Sequence, residues 1–193
     1  MKKFLLTLIL ILSVQSLTNA DDIRDFEIEE LSIGESALTF FTESELKKNV
    51  RQNQYEGSDG KFYDTQVRKS DFDIYDEITL VFKKGDKNYE IYSIGGIIYY
   101  GNQTKKCLSD YKKILNEIEN IFPNHTKDSW KNQKHHQDPS GKSLVNGTLM
   151  ILESEATAEV ACYSWSDEMK LEDYVLVAIN SKEFENWLKN YHN

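Results

Sequence analysis

Apolar residues recur along this chain with two different periods. Tyr63, Thr65 and Val67 alternate with Asp64, Gln66 and Arg68, and Ile78, Leu80 and Phe82 alternate with Thr79, Val81 and Lys83. A period of two is that of a strand with one buried face. Lys84-Gly85-Asp86-Lys87-Asn88 reads as a turn, and Tyr89 to Tyr100 as a long apolar and aromatic strand. Gly95-Gly96 interrupts that run and predicts a bulge or bend. These segments form an antiparallel meander. From Cys107 to Phe122 the period changes: Leu108, Tyr111, Leu115, Ile118 and Phe122 make one helical stripe, and Pro123 stops it. The stripe reads as a core face, not a cofactor site.

Two short helices are expected before the meander, over about 35–41 and 43–49. The second begins at a capping box, Thr42 followed three residues later by Glu45. Residues 124–142 are polar and aperiodic, and read as a long loop. Three further strands follow, over 147–153, 157–165 and 174–179. The last is apolar on both faces and so belongs near the centre of a sheet. Ser181 then caps a final helix with Phe184, Trp187, Leu188 and Tyr191 on one stripe. The order predicts an α+β fold, antiparallel sheet with helices packed on one face. It is compatible with a tandem of two helix-plus-three-strand units, with halves at 33–100 and 105–193 and the loop 124–142 as the seam.

Residues 1–20 stand apart from this pattern. Lys2 and Lys3 precede an apolar run from Phe4 to Leu12, broken only by Thr7, and Thr18-Asn19-Ala20 supplies small residues for cleavage. This reads as a secretory signal peptide. The run is shorter than the ~20 residues needed to span a bilayer. The expected mature domain is 21–193, periplasmic or extracellular and not embedded in a membrane. Without Lys2 and Lys3 it has 21 basic residues against 32 acidic ones, a net charge of −11. Such a surface repels nucleic acid and anionic lipid. In an exported chain the two cysteines, Cys107 and Cys162, predict one disulfide that ties the start of the middle helix to the strand at 157–165. Closing a loop of that length contributes at most ~4 kcal/mol.

The candidate chemistry is sparse. His135-His136-Gln137-Asp138-Pro139-Ser140-Gly141-Lys142-Ser143 ends like a phosphate-binding loop, but His136 stands where that loop requires glycine. His135, His136 and Asp138 carry ligand types for zinc or copper, yet adjacent histidines on extended chain point apart, so a solvated loop is the stronger reading. Asp71 to Glu77 is rich in carboxylates, but Tyr75 and Asp76 occupy the positions where an EF-hand needs an oxygen ligand and a glycine. No Gly-x-Ser-x-Gly elbow occurs. Among the aromatics, Trp130 and Trp165 are the candidates for contact with a partner. No cofactor is implied.

Three stretches carry a resemblance: "IGESALTFFTESELKKN", "YDEITLVFKKGDKNYEIYSIGGIIYY" with the Cys-led helix after it, and "ACYSWSDEMK". Over most of the mature chain these resemble a group of small exported proteins of marine alphaproteobacteria, a resemblance that implies export and carries over no site residues. The Ile-Gly-x-Ser helix start leading into a meander is similar, at the level of fold, to BamE-like and β-lactamase-inhibitor-like modules, which implies non-catalytic binding. The expected function is an exported interaction module for a protein or small-molecule partner. The rival is a small exported hydrolase with a site built from non-local carboxylates and histidines.

Overall fold

The computed structural model describes residues 23–51, Tyr55 and residues 58–191. The signal peptide expected at 1–20 lies outside the described residues. Seven strands form a single antiparallel sheet: β1 (Phe62–Val67), β2 (Glu77–Lys83), β3 (Ser93–Gly101), β4 (His125–Lys134), β5 (Leu144–Leu152), β6 (Thr157–Ser164) and β7 (Asp173–Asn180). Their spatial order is β1-β2-β3-β7-β6-β5-β4. The first three strands run as a meander from one edge to the middle. Helix α2 (Thr104–Ile121) carries the chain to the far edge, and β4 to β7 return to the middle. The halves expected from sequence thus join along the β3–β7 ladder, and β7 is the central strand. Helices α1 (Glu43–Lys48) and α3 (Lys182–Tyr191) complete the α+β fold.

The register assigns each side chain to a face. On one face Ile78, Leu80, Phe82, Ile94, Val160, Cys162, Val175, Val177 and Ile179 pack with Cys107, Tyr111 and Ile118 of α2, and with Ile28, Leu31, Phe41 and Leu46 of the N-terminal region. This is the main core, and we call it the covered face. The Cys107–Cys162 disulfide is formed, with Cα atoms 5.8 Å apart, and joins the first turn of α2 to the middle of β6. The capping box at Thr42 and Glu45 is present, with the Thr42 amide donating to Glu45 Oε2 at 2.8 Å.

Helix α3 lies against the opposite face, where Phe184 and Trp187 meet Phe62 and Val81. Lys61 and Lys83 both reach Glu183 at 2.9 Å, and Trp187 Nε1 donates to Asp59 at 2.7 Å, so α3 is held at the β1–β2 end.

Four expectations change. The helices do not all pack on one face: α2 lies on the covered face and α3 on the other, because β1 and β2 carry apolar residues on both sides, Leu80 and Phe82 on one and Phe62 and Val81 on the other. Residues 125–134 are a strand, not part of a loop, so the second half has four strands. Nearly all of β4 is exposed, and its lysines suit an unprotected sheet edge. Backbone pairing to β5 makes this strand, not burial, so no alternation betrays it. Gly95-Gly96 is not a bulge: the ladder to β7 runs unbroken from Ser93 to Tyr99, and the irregularity falls between Tyr99 and Gly101. Gly96 instead makes room for Tyr75, whose ring would stand 2.4 Å from an added Cβ. Over 35–41 only a single turn of 3-10 helix, Ala37–Thr39, forms. No helix among the described residues is long and apolar enough to cross a membrane.

Candidate functional site

The second face of the sheet is only partly covered. Along β7, Val175, Val177 and Ile179 are buried, while Tyr174, Leu176 and Ala178 between them are half-buried. A central strand with one face part-exposed is not packed against protein on that side. Cross-strand pairing extends this open face to Leu149 and Ile151 of β5 and to Glu159 and Tyr163 of β6, all half-buried. An apolar sheet face left uncovered marks a surface that takes a ligand or partner.

At the end away from α3, an aromatic row crosses the strands. Tyr99, Tyr174 and Tyr163 lie side by side on β3, β7 and β6, with Tyr174 and Tyr163 stacked at 4.6 Å and 19°. Trp165 continues the row beyond β6. His135 sits 4.5 Å from its ring, and His136 stacks on His135 at 4.8 Å. At the other end Arg68 lies over the Tyr99 ring, 5.0 Å from its centroid, and pairs with Glu77. Trp165 Nε1, Glu77 Oε1 and Asp64 Oδ1 are buried with no hydrogen-bond partner among the described residues. Asp64 is itself fully buried and bound by Arg51, whose Nε donates at 2.6 Å; desolvation still pushes its carboxyl above the ordinary range.

Glu159 lies between this row and α3. It is flanked across the ladders by Leu149 and Ala178, and among the described residues no hydrogen bond or ion pair reaches its carboxyl. Burial pushes its pKa up to about 7, with the nearby charge of Glu185 adding to the shift. Glu185 is engaged in a buried network: its Oε2 accepts from Thr157 Oγ1 at 3.0 Å and from Asn180 Nδ2 at 3.4 Å, and Ser93 Oγ donates to Asn180 Oδ1 at 2.6 Å.

The residues singled out from sequence fall in different places. Asp138 does not converge with the histidines. It is buried in the β4–β5 turn, where its carboxylate accepts from the Ser140 and Ser143 amides and from the Ser143 and Ser166 hydroxyls at 2.6 to 3.0 Å. Those bonds hold its pKa well below the ordinary carboxylate range. The histidines do not point apart as expected: their rings stack on each other and join the aromatic row, and partial burial lowers the pKa of His135. No group of three or more potential metal ligands converges among the described residues. Trp130 is on the edge strand, its ring lying over Gly147, where a Cβ would come within 2.4 Å of it. On the covered face, Trp130 also borders a groove of about 440 Å³ with Leu108, Tyr111, Ser129 and Thr148. The carboxylates of 71–77 form no calcium loop: the amides of Asp73, Ile74 and Tyr75 point at the Glu29 carboxylate, at 2.7 to 3.0 Å.

Sequence reasoning missed Tyr99, Tyr163, Tyr174 and Glu159 as a group. One signal was present. In Thr157–Ser164, Glu159 shares its strand face with Ala161 and Tyr163, and a lone carboxylate among such neighbours is conspicuous. No family model, curated protein or solved structure matches the chain. The open face is therefore interpreted from its own geometry.

Proposed function

We propose that this protein is an exported, non-catalytic binding module, and that the open face of the sheet is its binding surface. The observation that carries this reading is the half-buried side of the central strand, Tyr174, Leu176 and Ala178. A strand in the middle of seven is normally covered on both sides or polar on one, and this one is neither. The aromatic row supports it, since tyrosine and tryptophan combine apolar rings with polar tips and are enriched where partners dock. The disulfide is compatible with an oxidising compartment.

A second reading draws on Glu159, whose raised pKa is suited to a general acid in a small hydrolase. Screening the mature chain against ester, glycoside and peptide substrates separates the two. Turnover abolished by Glu159→Gln would establish the enzyme and end the binding-module reading. For the binding module, we expect no turnover. We also expect ligands found in a panel of peptides, glycans and amines to lose affinity at least tenfold in Leu176→Lys. Lys112→Ala, on α2 over the covered face, should leave that affinity unchanged. Ligands that mapped instead to the groove beside α2 would refute the assignment of the surface.

A further inference from the structure

We infer that the open face takes a small organic ammonium ion with a hydrocarbon or aromatic body, and that Glu159 is its charge partner. This rests on the open face being the binding surface.

The argument begins with charge pairing. The basic side chains around this face are committed elsewhere: Arg51 to Asp64, Arg68 to Glu77, and both Lys61 and Lys83 to Glu183. Among the described residues Glu159 has no such partner. The groups facing it are Ala178 and Asn180 from β7, Leu149 and Ile151 from β5, Thr157, Ala161 and Tyr163 along β6, and Glu185 from α3. Of these only Glu185 carries charge, and it repels. A half-buried carboxylate among hydrocarbon, with only a like charge beside it, is stabilised by taking up a proton or by meeting a cation that comes from outside.

The surroundings define the rest of the ligand. Leu149, Ile151, Leu176 and Ala178 offer aliphatic surface on both sides of the carboxyl. Tyr163 and Tyr174 add aromatic rings, which attract ammonium ions electrostatically. An ammonium nitrogen supplies the missing charge and up to three donors, and its carbon body covers the apolar rows. A carboxylate or phosphate ligand would meet Glu159, Glu185 and a chain whose net charge is −9 in full and −11 without residues 1–20.

The test is a titration of the mature chain with phenethylammonium, followed by amide and methyl NMR shifts. Its neutral N-acetyl derivative and 3-phenylpropionate serve as comparison ligands. Phenethylammonium should bind saturably and shift Leu149, Leu176, Ala178 and Tyr163, at least tenfold more tightly than either comparison ligand. Glu159→Gln, which keeps the side chain's shape, should abolish that preference. Between pH 8.5 and 5.5 the affinity should fall roughly thirtyfold as Glu159 takes up a proton, while the amine stays charged throughout. Equal binding of the neutral derivative at the same residues would overturn the ammonium assignment and leave the binding face standing. Shifts confined to other surfaces, or none at 10 mM, would overturn the assignment too.

Discussion

At Glu159 a single residue makes the stability of this molecule depend on pH. In the unfolded chain its carboxyl titrates at an ordinary value, about 4.3; in the fold it titrates near 7. Between those values the native state holds a proton that the unfolded state has lost, so stability falls as pH rises. Below the lower value both states are protonated and no penalty remains. Glu159→Gln should therefore stabilise the protein by roughly 2 kcal/mol at pH 8 and have little effect at pH 4. Urea denaturation at the two pH values checks this, and a gain of equal size at both would show that the charge is not the cause. Asp138 shows the opposite arrangement at the same scale. It is a carboxylate among donors, not among hydrocarbon, and four hydrogen bonds favour its ionised form.

At the scale of elements, the β4–β5 hairpin depends on that aspartate. The turn from His135 to Ser143 closes through the His135 amide donating to the Ser143 carbonyl at 3.0 Å, and Asp138 ties it to Ser166 beyond β6. Asp138→Ala should leave the sheet intact and speed hydrogen exchange at the Ser140 and Ser143 amides by at least tenfold. Unchanged protection there would mean that the backbone pairing alone holds the turn. The same element was the least legible in the sequence. His125–Lys134 carries neither period, because an edge strand gains its backbone bonds from one neighbour and needs to bury little. The helices were legible for the contrary reason. Their apolar stripes must meet the sheet, so Tyr111 and Ile118 of α2, and Phe184 and Trp187 of α3, announce themselves by spacing.

For the whole molecule, the disulfide is the covalent tie between α2 and the sheet. Each partner lies at 0% exposure in the main core, with Cys162 on the central part of β6. Replacing both cysteines by alanine should lower the unfolding free energy by about 2–4 kcal/mol, read as a drop in the urea midpoint. A loss near zero would mean that packing around α2 already restricts the chain as much as the bond does. The wider architecture follows from the crossover of α2. That crossover delivers the chain to the far edge, so the return meander ends beside β3 and makes one sheet from two runs of strands.

The sequence by itself determined what local spacing can encode. It specified the alternation of β1 and β2, the stripes of α2 and α3, the capping box at Thr42 and the central place of 174–179. Each of these depends on residues a few positions apart, and a buried face leaves its period in the chain. The tertiary structure decided what depends on distant residues meeting. It brought Tyr99, Tyr174, Tyr163, Trp165 and His135 into one row, and it withheld Asp138 from the histidines. It also left Glu159 without a counter-ion among the described residues, the cations of the β1–β2 end being paired with Asp64, Glu77 and Glu183. Strand order sets those meetings, and strand order comes from long-range pairing that no local period records.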